Sequence, residues 1–390
     1  MGNLQTRQSS GLSLIAAIIF VAASGCGQKG SSFDILPTAD SFKQATATIN
    51  PKMDILWVVD NSGSMLPNQN NLTSNFSSFI TSFDSSQTAF DFQMAVTTTD
   101  AYLSEANFRN TASFAKFRDG VNSYSSCPAC KQSGIYIMLP KTLNLNTVFV
   151  ENASEGDQGS GDERAFSSMR DALSSSQNAG FLRQDAFLSV IILSDEDDFS
   201  GAGRPEYSWL YSGGITDHNY TASTLDTVAS YVSYLDTATA STTSQRNYIV
   251  SAITVQDTTC QNKLLKAGSS TSIIGRRYDQ LVDQVNTGLP SYVQGIKGDI
   301  CGNFGTQLSA IASGILSLST KFTLQRIPDP STIVVVVNGT NVPPQATNPL
   351  NNGGFTYDAT SNAVIFIGST WIPAAGASID VSYAPAAYGQ

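Results

Sequence analysis

Two apolar runs dominate the chain, Ile55-Leu56-Trp57-Val58-Val59 and Phe187-Leu188-Ser189-Val190-Ile191-Ile192-Leu193, and each ends in acids and hydroxyls. Such runs read as strands covered on both faces, because a half-exposed strand would alternate. The first leads into Asp60-Asn61-Ser62-Gly63-Ser64, the second into Ser194-Asp195-Glu196-Asp197-Asp198. Phe90 to Val96 alternates and then enters Thr97-Thr98-Thr99-Asp100, and Tyr248 to Val255 is another buried strand. Between them the apolar spacing becomes helical over Leu66 to Phe83, Asp162 to Ser174, Leu225 to Leu235, Tyr278 to Val285 and Leu308 to Leu316. Alternating strands and helices predict an α/β domain over residues 51–320, with a doubly wound, mostly parallel sheet. Residues 101–150 interrupt the alternation and read as an insertion.

From about Phe322 the texture changes. Thr332 to Val337 meets an Asn338-Gly339 turn, and three short strands follow at Phe355 to Asp358, Ala363 to Ile367 and Ser378 to Tyr383. With no helical spacing between them, residues 321–390 predict a small all-β, sandwich-like module.

The amino terminus is a processing segment. Arg7 precedes an apolar core from Leu12 to Ala23 that is too short to span a bilayer comfortably. Ala23-Ser24-Gly25-Cys26 resembles a bacterial lipobox, with Ala where Leu is commoner. It implies a signal peptide over residues 1–25, lipidation of Cys26 and, with Gly27 next, sorting to the outer membrane of a Gram-negative cell. Two readings compete: N-myristoylation at Gly2, and an ordinary cleaved signal with Cys26 incidental. Residues 26–50, rich in Gly, Ser, Thr, Gln and Ala, then form a flexible tether.

Five cysteines fit an exported protein. With Cys26 lipidated, two pairs remain. Cys127-Pro128-Ala129-Cys130 reads as a local disulfide, because a redox motif would need a strand before it and a helix after it. Cys260 and Cys301 bracket a long stretch and can close it as a second disulfide.

The chemistry gathers at the strand ends. Asp60, Ser62 and Ser64 form an all-oxygen set that suits Mg²⁺ or Mn²⁺, at the end of a sheet where open α/β folds bind ligands. Asp60-x-Ser62-x-Ser64 after a buried strand resembles the metal-ion-dependent adhesion site of von Willebrand factor type A domains. The resemblance extends over most of residues 51–320. It implies that Asp195 is the distal metal ligand, and that Ser160, in Gly159-Ser160-Gly161-Asp162-Glu163, replaces the usual Thr. It also implies an ion (Mg²⁺, or Mn²⁺ or Ca²⁺) with an open position for an Asp or Glu of a protein partner. The bland alternative is that these Ser and Asp residues only cap helices and turns. The loop Tyr207-Ser208-Trp209-Leu210-Tyr211 offers Tyr207, Trp209 and Tyr211 as a recognition rim, or as packing residues.

Only 13% of residues are charged, and the net charge is −10. That balance excludes the basic face of a nucleic-acid binder. No Walker loop supports a nucleotide, and no Gly-x-Ser-x-Gly elbow supports a hydrolase. The single histidine, His218, lies in a polar loop. The expectation is therefore a surface-exposed, lipid-anchored protein with metal-dependent adhesion and no enzymatic activity. A structural lipoprotein of an envelope complex is the alternative, and a metal-dependent hydrolase built on the 195–198 acids is a third.

Overall fold

The buried runs become the centre of a six-stranded sheet. Its strands are β3 (Lys52–Val59), β4 (Asp91–Thr98), β5 (Ile137–Met138), β6 (Phe187–Leu193), β7 (Tyr248–Thr254) and β8 (Lys297–Asp299), after the short β1 (Phe42–Lys43) and β2 (Ala47–Thr48). The computed structural model describes residues 42–43, 47–48 and 52–386, except 85–89, 185, 204–219, 244–245, 270, 290–293, 320, 351, 360–361, 369 and 374–376. The signal segment, Cys26, His218 and the rim residues Tyr207, Trp209 and Tyr211 lie outside the described residues.

The sheet order is β5-β4-β3-β6-β7-β8. All neighbours run parallel except the edge pair β4–β5. The chain winds one way from β3 to β4 and the other way from β6 to β8, so the direction reverses between β3 and β6. In doubly wound sheets, that reversal opens a crevice at the carboxyl ends of the strands. The register aligns Val59 with Thr98 on one side and Leu193 on the other. Three loops therefore leave the sheet at the same level: Asp60 onward, Thr99 onward and Ser194 onward.

The helices are α1 (Leu66–Asp84), α2 (Leu145–Ala153), α3 (Ala165–Ser174), α4 (Val228–Ala238), α5 (Thr258–Lys266), α6 (Arg276–Asn286) and α7 (Phe304–Ser319). Helix α3 starts three residues later than the spacing predicted, because Asp162 is held in the preceding loop by Arg164 and Tyr102. One group of helices closes around Trp57: its ring meets Phe76 and Phe79 of α1 and Phe149 of α2 edge-on at 5.1–6.2 Å. A second group meets at Phe166 of α3, which packs against Tyr231 of α4 and Tyr278 of α6. Helix α2 closes the predicted insertion, so that segment ends by supplying a core residue. Its earlier part is mostly turns, with the edge strand β5.

The carboxyl-terminal strands are β9 (Lys321–Thr323), β10 (Val334–Val337), β11 (Thr340–Val342), β12 (Gly354–Asp358), β13 (Ala363–Ile367) and β14 (Ser378–Tyr383). Asn338 and Gly339 both take positive φ (47° and 81°), as the two-residue hairpin between β10 and β11 demands. Strands β9, β12 and β13 form one sheet, and β10, β11 and β14 belong to another. Of the expected tether, residues 26–50, only 42–43 and 47–48 are described, and these are paired. β1 and β2 pair antiparallel with β14, through Phe42 with Tyr383 and Ala47 with Ile379. They cover the edge of β14 that β10 leaves open, an edge that would otherwise present unpaired backbone. The texture change near 321 is not a break in packing. Ser41–Gln390 forms one compact unit, and Val364, Phe366 and Val381 belong to the same contiguous apolar core as Trp57.

Both expected disulfides are formed. Cys127 and Cys130 are bonded within their loop, and Cys260 of α5 is bonded to Cys301 after β8. Asp299 lies close to the second pair, but both sulfurs are in the disulfide and leave no thiolate for a metal.

Phe149 is stacked 3.5 Å from Phe76 and fully buried. Phe149→Ala should therefore lower unfolding stability by about 3–5 kcal/mol in a denaturant titration. A loss below about 1 kcal/mol would mean that α2 is not part of the core.

Candidate metal centre at the ends of β3 and β6

Four of the five expected ligands meet in one hydrogen-bonded set. The Asp60 amide donates to Leu193 O at 2.9 Å, which fixes the first loop against β6. The two carboxylate oxygens of Asp60 accept separately, Oδ1 from the Ser62 amide at 2.8 Å and Oδ2 from the Ser194 hydroxyl at 2.6 Å. Ser64 donates its hydroxyl to Asp195 Oδ1 at 2.9 Å, and the Ser62 and Ser64 hydroxyls lie 3.4 Å apart. Gln69, in the first turn of α1, donates to Asp60 O at 2.7 Å and to Gly156 O at 2.8 Å, and accepts from the Gly156 amide at 2.9 Å. One buried amide thus ties the first loop to the segment between α2 and α3, residues 154–164, called the middle loop below.

Ser160 sits differently. Its hydroxyl accepts from the Asp162 amide at 3.2 Å and lies 3.4 Å from the Tyr102 hydroxyl. Its amide donates to Asp100 Oδ1 at 3.1 Å. Among the described residues, its hydrogen bonds join the middle loop to Asp100 and Tyr102, not to Asp60, Ser62, Ser64 or Asp195. Asp100 also accepts from Asn61 Nδ2 at 3.1 Å, and the Gly159 amide donates to Asn61 O at 2.8 Å. A Cβ on Gly159 would stand 2.5 Å from the Asn61 side chain, so only glycine allows this approach. Asp100 is the brace of the site. Its position after an oxygen-rich strand end was the visible signal; its role as acceptor from two loops was not.

Sequence reasoning also missed Glu163. It is fully buried, and neither carboxylate oxygen has a hydrogen-bond partner. Burial lifts its pKa well above the ordinary range, and the charges of Asp60 and then Glu196 lift it further. Glu196 is similar: one oxygen takes the Thr271 hydroxyl, the other has no partner, and burial with the Asp195 and Asp60 charges raises its pKa strongly. Asp195 Oδ2 is likewise unpartnered. Burial pushes Asp195 up to about 8, the Asp60 charge adds to the rise, and the Ser64 hydroxyl opposes it. Burial pushes Asp60 up to about 6 against the hydrogen bonds from Ser194 and Ser62. The next two acids differ. Asp197 accepts from the Tyr220 hydroxyl and the Arg277 amide, and Asp198 faces the Arg277 guanidinium at 3.2 Å. They hold the third loop to α6. Among the described residues, no ion pair reaches Asp60, Glu163, Asp195 or Glu196.

This arrangement suits a hard divalent cation. The donors are carboxylate and hydroxyl oxygens, and several buried oxygens lack a donor that a cation would replace. Sulfur and imidazole ligands are absent from the set.

Fold and site together define a doubly wound α/β domain with an acidic, hydroxyl-lined centre at its switch point. No protein-family model and no curated protein matches the sequence. Among solved structures, the chain is similar to the pilus adhesin SpaC of Lactobacillus rhamnosus GG in its open conformation, with 12% identity and a TM-score of 0.40 over 88% of this chain and 40% of that one. It is also similar to a von Willebrand factor type A protein from Catenulispora acidiphila (11%, 0.33, over 90% and 63%) and to the pilus adhesin RrgA of Streptococcus pneumoniae (9%, 0.32, over 88% and 58%). The chain spans about 40% of the length of SpaC. Likenesses this distant assign no function; the chemistry of the centre has to do so.

The raised carboxyls predict a pH dependence. An Asp that titrates near 8 when folded and about 3.9 when unfolded makes the folded state bind the extra proton. Its contribution is favourable at low pH and is lost as pH rises through the folded value. In chelator, stability should therefore fall as pH rises from about 5 and level off above about 8, by at most about 1.4 kcal/mol per pH unit for each titrating group. Asp195→Asn should flatten that decline. Parallel slopes for wild type and variant would show that Asp195 does not carry the extra proton.

Proposed function

We propose that the chain is a cell-surface binding protein of the von Willebrand factor type A kind, whose switch-point centre holds a divalent cation and presents it to a carboxylate of a protein partner. The observation that carries this reading is the joined set of Asp60, Ser62, Ser64 and Asp195 at the strand ends, all buried but the half-buried Ser64, with a carboxylate oxygen unpartnered. Asp60 and the two serine hydroxyls would hold Mg²⁺ or Mn²⁺, with Asp195 in support; Ser160, whose bonds run to Asp100 and Tyr102, would reach the ion only through water. The bound ion supplies Lewis acidity for an Asp or Glu side chain of the partner. Neutral hydroxyls matter here because they coordinate without cancelling the positive charge that attracts the partner.

The chain's own residues do the positioning. The Asp60–Leu193 backbone bond and the Gln69 bridge fix the first loop before any ion arrives. Ser194 and the Ser62 amide turn the two Asp60 oxygens in set directions. A lipid on Cys26 would tether this centre to the outer membrane, facing outward. The rim residues Tyr207, Trp209 and Tyr211 follow the third loop in sequence and would give the partner an aromatic surface. Binding, rather than catalysis, is proposed, because the carboxylates and hydroxyls of the centre form one all-oxygen set of the kind that holds a hard divalent ion.

Calorimetric titration of Mn²⁺ and Mg²⁺ into the full chain tests the reading. Wild type should bind with an affinity that rises from pH 6 to 8, since the ligands must deprotonate. Asp60→Ala should abolish binding, and Ser62→Ala or Ser64→Ala should weaken it about tenfold, or 1.4 kcal/mol. Ion at about 100 times the dissociation constant should stabilise the wild type by about 2.7 kcal/mol. Equal binding by wild type and Asp60→Ala would remove the site from these residues. Adhesion of cells bearing the protein should be lost in chelator and return with Mn²⁺.

A further inference from the structure

The two disulfides close loops of very different length. Cys260 and Cys301 are 41 residues apart, Cys127 and Cys130 only three. A cross-link stabilises a fold mainly by shrinking the unfolded ensemble, and a short loop shrinks it least. The Cys127–Cys130 bond therefore adds little to global stability, and its effect lies in what its turn touches. No helix follows Cys130 before β5, so the pair is not built as the catalytic dithiol of an oxidoreductase.

The turn touches the middle loop at three points. Cys127 is paired with Tyr124, amide to carbonyl in both directions, at 3.0 and 3.3 Å. The Tyr124 hydroxyl accepts from the Asp157 amide at 2.7 Å, and the Ser126 hydroxyl donates to Asp157 Oδ1 at 3.2 Å. Cys130 Sγ lies 3.4 Å from Ser154 O. Gly156 is seated on the phenol itself, where a Cβ would stand 1.6 Å from the Tyr124 oxygen. Gly156 exchanges two hydrogen bonds with the Gln69 side chain, and the same Gln69 Nε2 donates to Asp60 O. Disulfide turn, Tyr124, Gly156, Gln69 and Asp60 are thus joined by direct contacts.

Cys127 and Cys130 are 6% and 1% exposed, while Pro128 and Ala129 between them are exposed. Breaking the bond leaves two sulfurs that must separate to non-bonded contact. In a buried turn that expansion passes to the packed neighbours, Tyr124 on one side and Ser154 on the other.

We propose that the Cys127–Cys130 disulfide is a redox latch on the metal centre. Closed, it holds Tyr124 against the middle loop and keeps Gln69 on Asp60; opened by a dithiol, it frees Tyr124 and the ion is held more weakly. The latch is a regulation of the proposed function and rests on that reading for the ion at Asp60. In the opening step the dithiol closes its own disulfide and passes two electrons and two protons to the Cys127–Cys130 bond, which breaks to two thiols. Tyr124 is a positioning residue: it acts on the centre through Gly156 and Gln69 and touches no ligand.

The test is calorimetric titration of Mn²⁺ into the full chain, oxidised or reduced with dithiothreitol and then desalted under nitrogen. Oxidised wild type should bind more tightly and lose about tenfold in affinity on reduction, within the ordinary range of coupling between two sites. Cys127→Ser/Cys130→Ser should bind with the weaker affinity before and after the dithiol, which separates this bond from Cys260–Cys301. Tyr124→Phe, with the disulfide intact, should show part of the loss, because only the hydroxyl acceptor is removed. Melting temperatures in chelator should differ little among the three proteins. A loss on reduction that persists in the double serine variant would assign the effect to Cys260–Cys301 and overturn the latch. Full affinity in Tyr124→Phe would break the path and overturn it as well. Unchanged affinity on reduction and in both variants would overturn the latch and leave the proposed function standing. Weaker binding matched by a large fall in melting temperature would give the turn a general structural role, again against the latch. No ion bound by oxidised wild type would overturn the proposed function, and the latch with it.

Discussion

Buried acids that are costly to ionise, at the end of the central sheet, are the constraint on which the rest of this structure depends. Asp60, Glu163, Asp195 and Glu196 lie out of water, and no Lys or Arg is paired with them among the described residues. Left alone, such a group would repel itself apart or draw water in. What prevents this is a dense set of donors that do not neutralise the charge: the Ser62 amide, and the hydroxyls of Ser64, Ser194 and Thr271. Hydrogen bonds to charged acceptors are each worth about 1.5–3 kcal/mol, too little to repay four buried carboxylates but enough to hold the loops in order.

That order is rooted in the sheet. β3 has a parallel neighbour on each side, so its end cannot shift without breaking two ladders. The Trp57 ring adds a second lock on the same strand. It is wedged between α1 and α2, and its indole N–H points to the sulfur of Met94 on β4 at 3.3 Å. Helix α2 is supplied by the segment that interrupts the alternation. The loop after it carries Glu155, paired with Arg118 at 2.8 Å, and Gly156, bonded to Gln69. The interruption is thus part of the wall behind the Asp60 loop.

The sequence was most informative where side-chain period and polarity act together. β3 and β6 could be read because residues covered on both faces must be apolar, and their ends because polarity switches within one residue. Ser160 and Glu163 could not be ranked from the chain alone. Which of two residues three apart faces the centre depends on how the middle loop is pulled, by Asp100 on the Ser160 amide and by the close approach of Gly159 to Asn61. Those forces come from residues about 60 and 100 positions away. The strands at Phe42–Lys43 and Ala47–Thr48 were hidden for a similar reason. Two-residue strands have no period of their own, and their partner, β14, lies more than 300 residues later.

The run from Asp195 to Asp198 shows how adjacent acids acquire opposite roles. Four consecutive carboxylates in a loop have the same intrinsic chemistry. Arg277, at the start of α6, separates them: its amide takes Asp197 and its guanidinium takes Asp198. Asp195 and Glu196 lie beyond its reach and keep free oxygens. One arginine thus converts half of an acidic run into an anchor and leaves the other half with unpartnered oxygens. The anchor reaches the middle loop as well, because the Phe166 amide at the start of α3 donates to the same Asp198 carboxylate at 3.0 Å. Glu163 precedes that helix by two residues, so Arg277, Asp198 and Phe166 together fix the backbone on which Glu163 and Glu196 stand.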